Sequence, residues 1–146
     1  MADFERPLKG RGRDAAEQMG RFLASKKVTV GVLISSPSVR TRQTIDIVSG
    51  HVQLGVEPQF DQRIYEASLS TLVQIVAEIS DDNKAAMLVG HNPGMEEMLA
   101  FLTREARQMP TCALAKISIA GSSWKEAQRG AGKLEWFVTP KDLEDL

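Results

Sequence analysis

The chain has 146 residues, 42% hydrophobic and 25% charged, with Lys+Arg 18 against Asp+Glu 19 and a formal charge of -1. That balance fits one globular domain with its own core and excludes the broad positive field on which non-specific nucleic-acid binding relies, while leaving room for a local anion pocket. A single cysteine excludes a disulfide framework or multi-cysteine metal site and suits a reducing compartment; with no apolar run near the roughly 18 residues of a membrane span and no signal-peptide pattern, a cytoplasmic location without membrane contact is expected.

No repeat, low-complexity tract or Gly/Ser linker divides the sequence, which reads as one domain over residues 3–140 with a short acidic tail, KDLEDL, over 141–146. From Arg13 to Ser25 the spacing of Ala15, Met19, Phe22 and Leu23 puts one apolar stripe on a helix. Val28–Ile34, a nearly continuous β-branched run, is the pattern of a parallel strand covered on both faces. It stops at Ser35-Ser36-Pro37, where Ser36 is placed to cap a helix with Pro37 as its first residue, running to about Val48 with Gly50 as the stop. A weaker strand follows at Val56–Phe60. Ser68 or Ser70 then caps a helix whose inner face carries Leu69, Leu72, Val73, Val76 and Ile79. Ala85–Val89 is a second buried strand, closed by Gly90-His91-Asn92-Pro93, and a helix follows from about Pro93 to Leu102. Two further strands are expected at Ala113–Ala120 and Leu134–Val138, with SSWKEAQRGAG as the loop between them. Strands alternating with helices predict an α/β fold, a mostly parallel central sheet flanked by helices on both faces.

In such sheets ligands bind beyond the carboxyl ends of the strands, where helix N-termini offer free N–H groups and partial positive charge to anions. Two segments have this layout. Arg40 lies in the first turn of the helix after SSP, and His91 directly follows the second buried strand. A guanidinium and an imidazole on one rim suit a phosphoryl group, the first as a fork of donors and the second as a donor or proton carrier. Against this stands the ordinary reading of a strand-turn-helix junction with a solvated arginine. Arg42 points to a different helix face and reads as a surface residue, as does His51 at a helix end. Cys112 has no arginine five residues on to form a cysteine-phosphatase loop and reads as a small buried residue at the start of an apolar strand. Glu66 is a candidate proton donor, with a surface carboxylate as the default. Asp81-Asp82-Asn83 reads as a turn, and no Gly-x-x-x-x-Gly-Lys-Ser/Thr occurs, so neither metal nor nucleotide cofactor is indicated.

Taken in order, ERPLKGRG, LISSPSVRTRQT, LVGHNPGMEEML, MPTCALAKISI and GKLEWFVTP resemble the SixA-type phosphohistidine phosphatases of the histidine phosphatase superfamily, from Asp3 to Pro140. The resemblance implies a phosphoglycerate mutase-like three-layer sandwich and metal-free phosphoryl transfer through a phosphohistidine intermediate. It gives Arg40 the role of gripping the phosphoryl group, His91 that of stabilising its equatorial oxygens, and Arg6 a place at the pocket rim. The implied substrate is a phosphorylated protein, such as a phosphotransfer domain, or a small phosphate ester. Glu66 remains the candidate acid, although a phosphoramidate leaving group whose nitrogen is protonated needs little help.

The resemblance also implies a first strand ending in Arg-His-Gly, whose histidine is the nucleophile. No Arg-His-Gly occurs in this sequence, and neither His51 nor His91 substitutes for it. Without that strand the sheet is expected to have an open, apolar gap, filled by a rearranged sheet, by a second copy of the chain in a homodimer, or by a segment upstream of the assigned start. The intact remainder of the pattern favours the upstream segment. Two other readings stay open: a non-catalytic relative that binds phosphate or phosphoproteins, and an α/β dimerisation domain without an active site.

Overall fold

The structure is a computed structural model and describes residues 2–144. Five helices and five strands form two sheets between two layers of helix, and among the described residues the order is α1 (Gly10–Ser25), β1 (Val32–Ser35), α2 (Val39–Ser49), β2 (Pro58–Phe60), α3 (Leu69–Ala77), β3 (Ala86–Val89), α4 (Gly94–Thr103), β4 (Leu114–Ile119), β5 (Gly132–Val138) and α5 (Pro140–Glu144). β1 is the central strand of a parallel sheet in the order β2-β1-β3. β4 and β5 form a separate antiparallel hairpin, with an irregularity between Lys116 and Ile117.

All four residues of β1 are buried, and their alternation builds both halves of the core. Val32 and Ile34 point to one face, where Leu72 and Ile75 of α3 and Met98 and Leu102 of α4 pack. Leu33 points to the other, against Met19 and Leu23 of α1 and Ile45 and Val48 of α2. The continuous β-branched run predicted this double coverage, but the paired strand is shorter than Val28–Ile34. β2 spans three residues and pairs only with Leu33–Ser35; Val28 and Val30 instead bond singly to Leu23 and Leu54 carbonyls.

Helix α2 starts two residues later than expected. Ser38, not Ser36, is the N-cap, and its side chain accepts from the Thr41 N–H. Ser36 is fully buried and its hydroxyl is engaged elsewhere, as described below. Ser68 caps α3 in the same way. The predicted loop at residues 121–131 contains a short 3-10 turn, Trp124–Glu126, closed by a capping box between Ser123 and Glu126. Residues 140–144 form a helical turn whose Leu143 packs onto the α1 side of the core.

Two observations correct the reading of single residues. His51 is half-buried and its Nε2 pairs with the Glu17 carboxylate across the α1–α2 contact. Cys112 precedes β4 rather than starting it and has a left-handed backbone, φ 62°. Arg42 is exposed as expected, with its guanidinium stacked 3.8 Å over the Phe60 ring.

Leu99 is 2% exposed in the middle of α4. Leu99→Ala is expected to cost about 2–5 kcal/mol, and Ser38→Ala about 1–2 kcal/mol through loss of the cap; urea unfolding of each variant measures both.

Candidate active site

The carboxyl ends of β1 and β3 lie side by side, since Ser35 pairs with Val89. Each strand releases a loop carrying one of the expected residues. After β1 the chain turns through Ser36-Pro37-Ser38 into α2, with Arg40 in its first turn. After β3 it passes through Gly90-His91-Asn92-Pro93 into α4. Arg40 and His91 line the same cavity of about 550 Å³, so the structure brings the two leading candidates to one mouth.

Ser36 joins the two loops. Its N–H donates to the Val89 carbonyl at 2.9 Å, and its Oγ lies 2.8 Å from His91 Nε2 while accepting from the Ser38 N–H at 3.3 Å. Its carbonyl accepts from the Ser35 and Thr41 hydroxyls at 2.9 and 2.6 Å. Burial first, and then the positive charge of Arg40, push the His91 imidazole below its usual 6.5, so it is neutral at pH 7.

Two further residues complete the mouth. Arg40 Nη1 donates to Asp3 Oδ1 at 2.9 Å and Nη2 to Oδ2 at 3.4 Å, and the Tyr65 hydroxyl donates to Oδ2 at 2.5 Å. The Tyr65 ring stands edge-on to His91, centroids 5.3 Å apart, and edge-on to Phe4 at 5.1 Å. Hydrogen bonds from Arg40 and then Tyr65 hold the Asp3 carboxyl down at about 2, and the same carboxylate pushes the Tyr65 phenol up to about 12. Asp3 therefore already occupies part of the donor fork that a phosphoryl oxygen would use, and it fixes the direction of Arg40.

The other candidates lie further out. Glu66 is exposed, in a left-handed conformation (φ 55°), and does not line the cavity; its negative charge acts on His91 and Tyr65. Arg6 is exposed and acts on Asp3 through its charge. Cys112 does line the cavity, and burial pushes its thiol up. Sequence reasoning missed Ser36, Asp3 and Tyr65 as site residues. Ser36 stands inside the quoted LISSPSVRTRQT segment but reads as a helix cap, and nothing in the sequence places Asp3 and Tyr65 beside a guanidinium.

The first residue of α4 is a glycine with a packing role. A Cβ on Gly94 would lie 2.7 Å from the Ala67 carbonyl oxygen, so only glycine lets the His91 loop close against the segment that carries Tyr65.

A parallel α/β sheet with a charged mouth at its strand ends defines the general class, and comparison with known proteins defines the family. The model of the histidine phosphatase superfamily (branch 1) matches residues 3–113, and the chain belongs to that superfamily. An uncharacterized protein of Mycobacterium tuberculosis is 25% identical over 152 residues, covering 97% of this chain and 93% of that protein. An uncharacterized chloroplastic protein of Arabidopsis thaliana is 29% identical over 153 residues, covering 96% and 70%. Among solved structures, the protein histidine phosphatase SixA complexed with tungstate matches with a TM-score of 0.82 at 21% identity, covering 97% of this chain and 89% of that one. A protein assigned as phosphohistidine phosphatase SixA from Agrobacterium tumefaciens matches with a TM-score of 0.82 at 25% identity, covering 96% and 87%. The mixed α/β sandwich is thus the SixA-like fold, and the structural neighbours are phosphatases.

Carbon-13 titration of the Asp3 carboxyl should give a midpoint of about 2, returning toward the usual 3.8 in Arg40→Ala. Because the folded value is the lower one, the stabilisation from this carboxylate is complete above pH 3.8 and is lost as pH falls toward 2; a midpoint of 3.8 in the unsubstituted protein would remove Asp3 from the site.

Proposed function

We propose that the chain supplies the phosphoryl-binding half of a phosphohistidine phosphatase site, with a phosphorylated protein as substrate. The observation that carries this reading is the convergence of Arg40 and His91 on one cavity mouth at the ends of two parallel strands. A phosphoryl group in transfer spreads its charge over three oxygens, so donors fixed in advance supply most of the stabilisation. Arg40 offers a planar fork held in direction by Asp3, and the N-terminus of α2 adds partial positive charge. His91, neutral and anchored by Ser36, offers a single donor, and a bound dianion raises its proton affinity. The tungstate complex of the neighbouring SixA supports an anion site in this fold. A phosphoramidate nitrogen carries its own proton into the leaving group, so Glu66 acts on this reading only by charge.

The two histidines of the sequence are His51 and His91. One pairs with Glu17 away from the mouth, and the other is committed to Ser36. Transfer through a phosphohistidine intermediate therefore takes its nucleophile from elsewhere, and the chain by itself binds phosphate with hydrolysis near background.

Orthophosphate or vanadate at about 100 times Kd is expected to stabilise the protein by about 2.7 kcal/mol, several degrees in Tm. Arg40→Ala and His91→Ala should abolish most of that shift while remaining folded by circular dichroism. An undiminished shift in both variants overturns the assignment. Release of phosphate from a phosphohistidine-bearing phosphotransfer protein, measured beside a phosphoserine peptide, tests the substrate class.

A further inference from the structure

His91 meets the mouth as a neutral ring with a single N–H, so the nitrogen that carries the proton decides whether an anion finds a donor or a lone pair. Nε2 lies 2.8 Å from Ser36 Oγ. Nδ1 makes no hydrogen bond among the described residues, where no buried side-chain polar atom lacks a partner, so this nitrogen is open to solvent. The ring lines the cavity that Arg40 also lines, and Tyr65 stands against it edge-on at 5.3 Å. Nδ1 is therefore the nitrogen left for a ligand.

The hydrogen bonds of Ser36 fix where the proton sits. Its Oγ accepts from the Ser38 N–H at 3.3 Å, and an N–H can only donate. Its own hydroxyl proton has one acceptor among the described residues, His91 Nε2. If Nε2 carried the ring proton and donated it, the Ser36 hydroxyl proton would be left unpaired in a fully buried site, which is costly. The opposite arrangement satisfies both groups: Ser36 donates, Nε2 accepts, and the ring proton sits on Nδ1.

We infer that Ser36 is a positioning residue that holds His91 in its Nδ1–H form, so that the neutral ring turns a donor toward a bound oxyanion. The inference rests on the phosphoryl-binding reading above. Burial and the charge of Arg40 both disfavour a second proton on the ring, so the choice of tautomer, rather than protonation, supplies the donor. In the other tautomer Nδ1 would face an anion with its lone pair. The Arg40 guanidinium needs no such setting, because every one of its nitrogens donates. Ser36 is fully buried and does not line the cavity; it acts through the ring and not on the ligand.

Proton–nitrogen correlation spectra of nitrogen-15-labelled protein above about pH 7, where His91 is neutral, read the tautomer directly, with the ring assigned by the signals lost in His91→Asn. Nδ1 should show the shift of a protonated ring nitrogen and Nε2 that of an unprotonated one. Ser36→Ala should move the ring toward the Nε2–H form that a free imidazole side chain prefers, and weaken orthophosphate binding about tenfold through loss of one hydrogen bond to a charged ligand. Ser36→Thr, which keeps the hydroxyl, should restore both. A second pair of variants leaves Ser36 in place and decides the point where Ser36→Ala fails to fold. The amide nitrogen of asparagine stands in for Nδ1 and that of glutamine for Nε2, so His91→Asn should bind orthophosphate about tenfold more tightly than His91→Gln. A proton on Nε2 in the unsubstituted protein overturns the inference, as does an unchanged tautomer in folded Ser36→Ala, or His91→Gln binding at least as tightly as His91→Asn. An Nδ1–H ring in a protein that orthophosphate does not stabilise instead overturns the phosphoryl reading, and the purpose of the donor with it.

Discussion

The hydroxyl of Ser36 is where the two halves of the mouth are tied together. Its N–H extends the β1–β3 ladder by one bond, and its Oγ meets both the start of the α2 turn and the His91 ring. It is fully buried, with Ser35 and Ser38 beside it, so each of these bonds is made in a low dielectric where an unmet partner is expensive. Among the described residues no buried side-chain polar atom lacks a hydrogen-bond partner. That complete satisfaction makes the crossing of two separate strand-loop-helix units a fixed geometry.

Above that fixed floor the mouth is built from exposed, charged contacts. Asp3 reaches Arg40, and Tyr65 reaches Asp3, from segments distant in sequence, and none of the three is fully buried. Exposed ion pairs contribute little to stability, so what this cluster supplies is direction: the Asp3 carboxylate holds the Arg40 guanidinium in one orientation and keeps the phenol protonated. His91 and Arg40 meet at the mouth with different charge, the imidazole neutral and the guanidinium permanently cationic.

Much of this arrangement was legible in the sequence. The buried runs at β1 and β3 and the turns that close them marked the right strand ends, and Arg40 and His91 were found there because position after a parallel strand is a backbone property. What escaped was whatever depends on contacts between distant segments. Ser36 looked like a cap because local chemistry favours that use, and only the approach of His91, 55 positions later, redirects it. The length of β1 was overstated because hydrophobic pattern reports burial, whereas ladder length depends on how far β2 runs alongside. His51 was read as solvent-facing because its partner, Glu17, lies on another helix.

Cys112 adds a consequence of a different kind. Its sulfur borders the cavity that Arg40 and His91 share, yet burial keeps the thiol protonated, and a protonated thiol is a poor target for peroxide or alkylating reagents. On the function proposed above, a mouth assembled from guanidinium, imidazole and phenol has no sulfur on which its chemistry depends, so oxidative stress that silences cysteine-based dephosphorylation would leave this type of site intact.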